Sequence, residues 1–187
     1  MQQKELLCLI ILGSTALSLV LVSSFNVNFT YAQNEKFKAQ LKGDKEVPPV
    51  NTTATGKAKF KVKDDKITTS INVTGISGIT GAQIYSGAKG ETGQPIVDLL
   101  KSGTKSEAND RIIVKGEISA SDLGGSMAGK TIQDLQTAMA SEKTYVNIQS
   151  SGHPDGEIRG QIKVSGNGNA TTTTISNATS SAESETE

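Results

Sequence analysis

The chain contains almost none of the residue types that carry thiol, imidazole or indole chemistry. Its 187 residues include one cysteine, one histidine and no tryptophan. The cysteine, Cys8, lies inside an N-terminal apolar run, so a chain processed after that run has no disulfide, no thiolate metal site and no cysteine nucleophile. With His153 as the only imidazole, no catalytic triad can be assembled from recognisable pieces. We therefore expect no catalytic residues and no cofactor.

An excess of one charge sign is also missing, and aromatic residues are scarce. The formal net charge is zero, and aromatic residues make up 4% of the chain. The two ends carry Lys4, Glu5, Glu183, Glu185 and Glu187. Without them 18 basic residues face 15 acidic ones, a balance too mild to argue for nucleic-acid binding. The 19 glycines, set among many Ser, Thr and Val residues, favour short strands over long helices.

The first residues have the pattern of an export signal. Lys4 precedes an apolar run of 17 residues, Leu6 to Val22, and the small residues of Thr30-Tyr31-Ala32 follow. We predict a signal peptide at 1–32; an uncleaved N-terminal membrane anchor is the alternative. Both interpretations predict a domain at 33–165 that is secreted or lies at the cell surface. Contact with a membrane is expected only through the N-terminal segment, if it is uncleaved.

The C-terminal residues predict a different kind of appendage. Residues 166–187 are rich in Ser, Thr and Asn and contain a single Ile, so we predict a disordered tail. N-glycosylation sequons occur at Asn28, Asn51, Asn72, Asn169 and Asn177. The last four lie beyond the predicted cleavage point and are expected acceptors in an exported glycoprotein, although a chain rich in Asn and Thr also produces sequons by chance.

Hydrophobic residues alternate with polar ones through the middle of the chain. Ala58, Phe60 and Val62 lie between the four lysines of a predicted strand. Asp64-Asp65 predicts a turn, and the alternation resumes from Ile67 to Val73, so we predict a hairpin with one buried face. The lysines on its other face are Lys57, Lys59, Lys61 and Lys63.

Further segments complete an all-β pattern. The same alternation recurs at 112–118 and 158–164, and Thr131 with Asp134 predicts the start of a short helix that runs through Ser141. Shorter candidate strands are Phe37–Leu41, Ala82–Tyr85, Ile96–Leu100 and Tyr145–Ser150. About eight strands with glycine-rich turns predict an all-β, Greek-key β-sandwich of immunoglobulin-like or superoxide-dismutase-like size with one short helix.

Several short motifs, in their order and spacing, point to a family. They are Glu46-Val47-Pro48-Pro49-Val50, Gly56-x-Ala58-x-Phe60, Thr80-Gly81-Ala82-x-Ile84, the glycines Gly87, Gly90 and Gly93, Tyr145-Val146-Asn147, and His153-Pro154-x-Gly156-Glu157-Ile158-Arg159-Gly160-Gln161-Ile162. From about Phe37 to Val164 the chain resembles the CHRD domain, a module first recognised in the extracellular signalling antagonist chordin and found in many microbial exported proteins.

The resemblance implies a metal half-site that this chain has altered. CHRD domains commonly carry His-x-His at the position of Gln83-Ile84-Tyr85, and often another His at the position of Gln149. Residues i and i+2 of a strand project from one face, so such a pair suits copper or zinc. Carboxamides are poor ligands for these metals, and a tyrosine must ionise from a pKa of about 10. We therefore predict no metal ligands; Gln83, Tyr85, Gln149 and His153 form a ligand face if they converge, and are scaffold if they do not.

Charged residues leave two interpretations each. Glu157 and Arg159 lie at i and i+2 opposite Ile158, which predicts a structural ion pair; the alternative gives Arg159 a role in anion recognition. The lysines at 57–63 are a solvated face or attract an acidic polysaccharide, a cell-surface polymer or anionic lipid. His153 is an exposed turn residue or a ligand.

The function expected from these observations is that of an exported, non-enzymatic CHRD-domain protein. It acts as a cell-surface or extracellular binding or structural module, and its partner is an unidentified extracellular protein or polysaccharide. One alternative is a copper- or zinc-binding protein of the superoxide dismutase type. Another is an enzyme that acts on surface glycans through carboxylates such as Asp98, Glu117 or Glu157.

Overall fold

The computed structural model describes residues 35–108 and 110–166. The predicted signal peptide or anchor, the tail beyond residue 166, and the sequons at Asn28, Asn169 and Asn177 lie outside the described residues. None of the described helices is both long enough and apolar enough to span a lipid bilayer.

Strands dominate the described residues, with one α-helix before the last three. The strands are β1 (Lys36–Lys42), β2 (Thr55–Lys63), β3 (Lys66–Thr74), β4 (Ile79–Ser86), β5 (Pro95–Asp98), β6 (Gly103–Ala108), β7 (Arg111–Ile118), β8 (Thr144–Ser150), β9 (Ile158–Gln161) and β10 (Lys163–Val164), and the helix is α1 (Ile132–Ala140). The prediction of an all-β fold with one short helix is confirmed.

All the strands join in one antiparallel sheet that curls on itself. The order is β5-β4-β8-β9-β1-β2-β3-β7-β6, and β10 pairs with β1. Strand β1 therefore lies at the centre, with β2 along one side and β9 and β10 along the other. The backbone N–H of Ser165 donates to the carbonyl of Lys36, so the last described strand ends beside the beginning of the first.

The period of two places the core as predicted. In β2 and β3 the residues Phe60, Val62, Ile67 and Ile71 are buried, while the lysines of β2 are exposed. The two strands form a tight hairpin in which Lys63 pairs with Lys66, and Asp64 adopts the positive φ of 53° that the turn requires. The predicted hairpin is confirmed.

Helix α1 begins where its capping residues predict and ends at Ala140, one residue before the predicted Ser141. The Thr131 hydroxyl accepts from the backbone N–H of Asp134 at 3.2 Å, and the Asp134 carboxylate accepts from the backbone N–H of Thr131 at 2.8 Å. This reciprocal capping satisfies two N–H groups that the first turn leaves without helical partners. Leu135 and Met139 are fully buried, so the helix contributes to the core.

Three segments differ from the sequence expectation, one of them being 158–164, which forms the two short strands β9 and β10 and not a single strand. The period of two did not reveal β6, since Thr104, Lys105, Ser106 and Glu107 are all exposed and polar on an edge strand that pairs only with β7. The candidate strand Ile96–Leu100 ends earlier, because the Asp98 carboxylate accepts from the backbone N–H groups of Leu100 and Lys101 and turns the chain.

Candidate functional site

The outer face of β8 and β9 carries polar side chains that are nevertheless buried. Alternation points Val146, Ile148 and Ile158 into the core, and Asn147 and Arg159 outward. Asn147 is only 5% exposed and Arg159 only 3%. A charged residue is seldom buried to this extent without a partner. The groups that contact Asn147 and Arg159 therefore determine the chemistry of this face.

Arg159 joins the sheet to the loop that follows β4. Its Nη2 donates to the carbonyl of Glu91 at 2.6 Å and to that of Ala88 at 3.3 Å. The guanidinium carbon lies 3.4 Å from the ring centroid of Tyr145, a cation–π contact. Tyr145 in turn stacks on Tyr85, with ring centroids 5.2 Å apart. By donating to the backbone carbonyls of Ala88 and Glu91, Arg159 thus fixes the position of the 88–91 loop.

Glu46, in the segment that follows β1, lies against Asn147 of β8. The Asn147 amide donates to Glu46 Oε2 at 3.1 Å, while Glu46 Oε1 and Asn147 Oδ1 are buried without a hydrogen-bond partner among the described residues. Burial raises the pKa of Glu46 to about 7, and the charge of Arg159 offsets part of this shift. A proton on Glu46 would give the carboxyl a donor, so the site favours the neutral acid.

Glycine at position 156 leaves the room that this pair needs. Gly156 has φ of 136°, and a Cβ there would lie 2.9 Å from Glu46 Oε1 and 2.7 Å from Asn147 Oδ1. The glycine of the His-Pro-x-Gly motif therefore leaves space for the buried Glu46 carboxyl and also permits the backbone conformation of the turn.

The structure corrects the predicted ion pair between Glu157 and Arg159. The Glu157 carboxylate accepts from the hydroxyl of Ser150 and, at 2.7 Å, from that of Thr52. Arg159 instead donates to loop carbonyls. The two side chains share the outer face, but separate hydroxyl and carbonyl partners hold them, so each braces a different loop.

Three of the four residues predicted to form a ligand face do converge. The Tyr85 hydroxyl donates to Gln83 Oε1 at 2.7 Å and accepts from Gln149 Nε2 at 3.0 Å. Gln149 lies across Gly81, where a Cβ would clash with its amide oxygen. Gln83 and Tyr85 on β4 and Gln149 on β8 are therefore one hydrogen-bonded chain.

The fourth residue, His153, lies apart from this chain. It occupies the turn after β8, where its backbone N–H donates to the Ser150 carbonyl at 3.1 Å and its carbonyl accepts from Gly156 N–H at 3.1 Å. Among the described residues its imidazole makes no hydrogen bond to Gln83, Tyr85 or Gln149. These contacts are those of a turn residue.

The converging side chains do not fit zinc or copper. They occupy the positions where the resemblance implies histidines, but they supply two carboxamides and a phenol, and burial raises the pKa of Tyr85 above its ordinary value. Within residues 35–108 and 110–166, no group of three or more His, Cys, Asp or Glu side chains is arranged to hold a metal ion. Hydrogen bonding, and not coordination, joins these three residues.

Replacing Tyr85 by phenylalanine tests this hydrogen-bonded chain. The variant keeps the stacking on Tyr145 but leaves Gln83 and Gln149 without their shared partner, so we expect it to lower the unfolding free energy by about 1 kcal/mol. Urea denaturation followed by circular dichroism would measure the change. Ser106→Ala, which removes an exposed hydroxyl on β6 that makes no side-chain hydrogen bond among the described residues, is the control; a Tyr85→Phe variant as stable as this control would contradict the interpretation.

A pocket of about 600 Å³ opens beside Arg159 and Glu46. Its walls come from β1, β9 and β10, from the segment after β1, and from the loop that Arg159 anchors. The lining residues are Lys38, Gln40, Asp44, Lys45, Glu46, Val47, Lys89, Gly90, Arg159, Gln161 and Lys163. Five of these side chains are basic and two are acidic, so the pocket has a positive balance.

The remaining predicted residues are held locally. Asp98 caps the turn after β5, Glu117 pairs with Lys66, and Glu157 binds the two hydroxyls described above, so the three carboxylates are engaged in three separate contacts. Asn51 is exposed. Asn72 is half-buried on the outer face of β3, opposite Lys57 of β2.

Sequence reasoning missed the buried contact between Glu46 and Asn147 beside the pocket. In the sequence Glu46 belongs only to the motif Glu46-Val47-Pro48-Pro49-Val50, and Asn147 lies within a candidate strand. They lie 101 positions apart, and their contact depends on loops folding over the sheet. The one local signal is a carboxylate placed among apolar and proline residues, Glu46-Val47-Pro48-Pro49.

Comparison with known proteins gives a family and no individual relative. The sequence model of the CHRD domain matches residues 37–162. No curated protein and no solved structure matches the chain. The match covers well over half of the chain and includes every strand except β10, from β1 with its first residue missing through β9. The chain therefore belongs to the CHRD domain family.

Proposed function

We propose that the protein is an exported, non-enzymatic binding module that holds an anionic group of its ligand in the pocket beside Arg159. The pocket itself carries this proposal, because its volume of about 600 Å³ suits a small ligand group and most of its charged side chains are basic. Export is supported by the apolar run near the N-terminus, which precedes the CHRD domain.

The environment of Lys45 supports an anionic ligand. Burial lowers the pKa of Lys45, and the charges of Lys42, Lys89 and Lys163 lower it further, while Asp44 acts in the opposite direction. Several ammonium groups are thus close enough to repel one another. An anion in the pocket would relieve this repulsion, and Lys89 on the anchored loop would face it.

The pocket is organised before any ligand arrives. Arg159 fixes the 88–91 loop, and Gln161 Nε2 donates to the carbonyl of Gly87 at 3.0 Å and to that of Thr144 at 2.9 Å. Side chains held in this way lose little further freedom on binding.

Titration with a monomeric sugar acid tests the proposal. We expect galacturonate to shift the NMR signals of pocket residues, whereas galactose, its neutral counterpart, does not. Lys45→Ala/Lys89→Ala is expected to weaken galacturonate binding by about tenfold, since it removes two ammonium groups. Lys101→Ala/Lys130→Ala removes two exposed lysines outside the pocket and should leave binding unchanged. Equal shifts with galactose, or equal affinity in both double variants, would contradict the proposal.

A further inference from the structure

The outer face of β1 and β2 is a field of lysines. Sheet register places Lys36 opposite Lys61, and Lys38 opposite Lys59. We call this surface the lysine face and define it by the seven exposed residues Lys36, Lys38, Lys42, Lys57, Lys59, Lys61 and Lys63. Like charges directly opposite each other on neighbouring strands destabilise a sheet, so these facing lysines lower the stability of the fold. They point away from the core, so core packing does not account for them.

The positive charge of this face is not neutralised by neighbouring carboxylates. In the part of the chain that the structure describes, salt bridges are formed by Lys66, Lys105 and Lys163, and by none of the seven lysines of the lysine face. The whole chain has no net charge. The asymmetry is therefore local: one sheet face concentrates the cations, and a partner of opposite charge would lower their repulsion.

The lysine face is continuous with the pocket. Lys163 of β10 is opposite Lys38, and Lys38 is opposite Lys59, so three lysines form a row across three strands. Lys38 and Lys163 also line the pocket. Along β2, the lysines from Lys57 to Lys63 extend over about 20 Å. A ligand that leaves the pocket in this direction would meet ammonium groups at regular intervals.

We infer that the protein binds a linear acidic polysaccharide that inserts one charged sugar into the pocket and continues over the lysine face. This inference rests on the proposed function above and extends it by naming the ligand class. The repeated spacing of the lysines suits a polymer with repeated charge, because each added contact acts within the same complex and raises the overall affinity.

Other polyanions fit the surface less well. A lipid surface is normally met by apolar or aromatic side chains beside the basic ones, and Val47, at 41% exposure, is the one large hydrophobic residue exposed among the described residues. Binding of single-stranded nucleic acid uses aromatic stacking platforms, and the outward positions of β1 and β2 hold Lys, Gln and Thr instead.

Binding of polygalacturonate to the purified full chain tests the inference. We expect it to bind at least about 100-fold more tightly than monomeric galacturonate, and to lose about tenfold in affinity between about 50 and 300 mM NaCl. Dextran, a neutral polymer, should not bind. Lys61→Glu/Lys63→Glu changes residues that neither line the pocket nor lie opposite a pocket-lining residue, and it should weaken polygalacturonate binding by about 30-fold while leaving galacturonate binding intact.

The matched control is Lys101→Glu/Lys130→Glu, which makes the same charge change outside the lysine face and should alter the affinity less than about threefold. The face variant should remain folded, because its new carboxylates would lie opposite Lys36 and Lys66; a thermal midpoint no lower than that of the original chain would establish this.

Different results identify what has failed. If galacturonate binds the pocket but polygalacturonate gains nothing, or binds the face variant as tightly as the original chain, the inference is wrong and the proposed function stands. If neither galacturonate nor polygalacturonate binds, both the inference and the proposed function are wrong. Phosphatidylserine vesicles or an oligothymidylate that bind as tightly as polygalacturonate would overturn the choice of polysaccharide.

Discussion

Arg159→Ala is expected to lower the unfolding free energy by about 3 kcal/mol, the largest loss we expect from any outward-facing side chain of the sheet. The substitution removes a nearly fully buried guanidinium that packs on Tyr145 and donates to the carbonyls of Ala88 and Glu91. The two carbonyls lose their hydrogen-bond donor, and the Tyr145 ring loses the guanidinium that packs on its face. Urea denaturation at neutral pH would measure the change.

Two companion variants separate the causes. Arg159→Lys keeps the positive charge but has no planar fork, so we expect it to recover less than half of the loss. Arg111→Ala removes an exposed arginine at the start of β7 and should change the stability by less than about 0.5 kcal/mol. If Arg159→Ala were as mild as Arg111→Ala, the guanidinium would not be the anchor of the loop that walls the pocket.

Glu46→Gln is expected to stabilise the protein at pH 8 by about 3 kcal/mol and to leave its stability at pH 4.5 nearly unchanged. In the folded state the pKa of Glu46 is about 7, above its ordinary value of 4.5. Between these two values the folded state keeps a proton that the unfolded state releases. The contribution of Glu46 is therefore most favourable below pH 4.5 and is lost as the pH rises to about 7. Glutamine mimics the protonated acid and avoids that loss.

Stability measured across this pH range, in both proteins, gives the test. The difference between the two curves should grow from pH 4.5 to pH 7 and then level off. Glu107→Gln, a change at an exposed carboxylate paired with Lys105, should give a difference below about 1 kcal/mol throughout. A Glu46→Gln variant that is less stable than the original chain at pH 8 would mean that the buried carboxylate is stabilised as an anion, contrary to the geometry around Asn147.

Local patterns predicted the parts of the fold that depend on local chemistry. The β2–β3 hairpin follows from alternation on both sides of Asp64-Asp65, and α1 follows from the reciprocal caps of Thr131 and Asp134. Strand β6 escaped prediction because an edge strand with polar residues on both faces has no period in its hydrophobicity.

The site was predictable only where a resemblance supplied positions. The family pattern singled out Gln83, Tyr85 and Gln149 but left open whether they converge, and the pairing of β4 with β8 brings them together. The contact of Glu46 with Asn147 had no comparable signal, since it forms when a loop folds over the sheet. The particular carbonyls that Arg159 binds were also beyond sequence reasoning, because backbone carbonyls are the same for every residue type.

The pairing of β10 with β1 brings the two ends of the described domain together. Phe37 lies opposite Val164, so the chain enters and leaves the sheet at neighbouring strands, about 5 Å apart. If both ends were joined to another polypeptide, the domain would occupy only a small gap between the two points of attachment. The spacing of its ends therefore allows the domain to be inserted into a surface loop of a larger protein without distorting that loop.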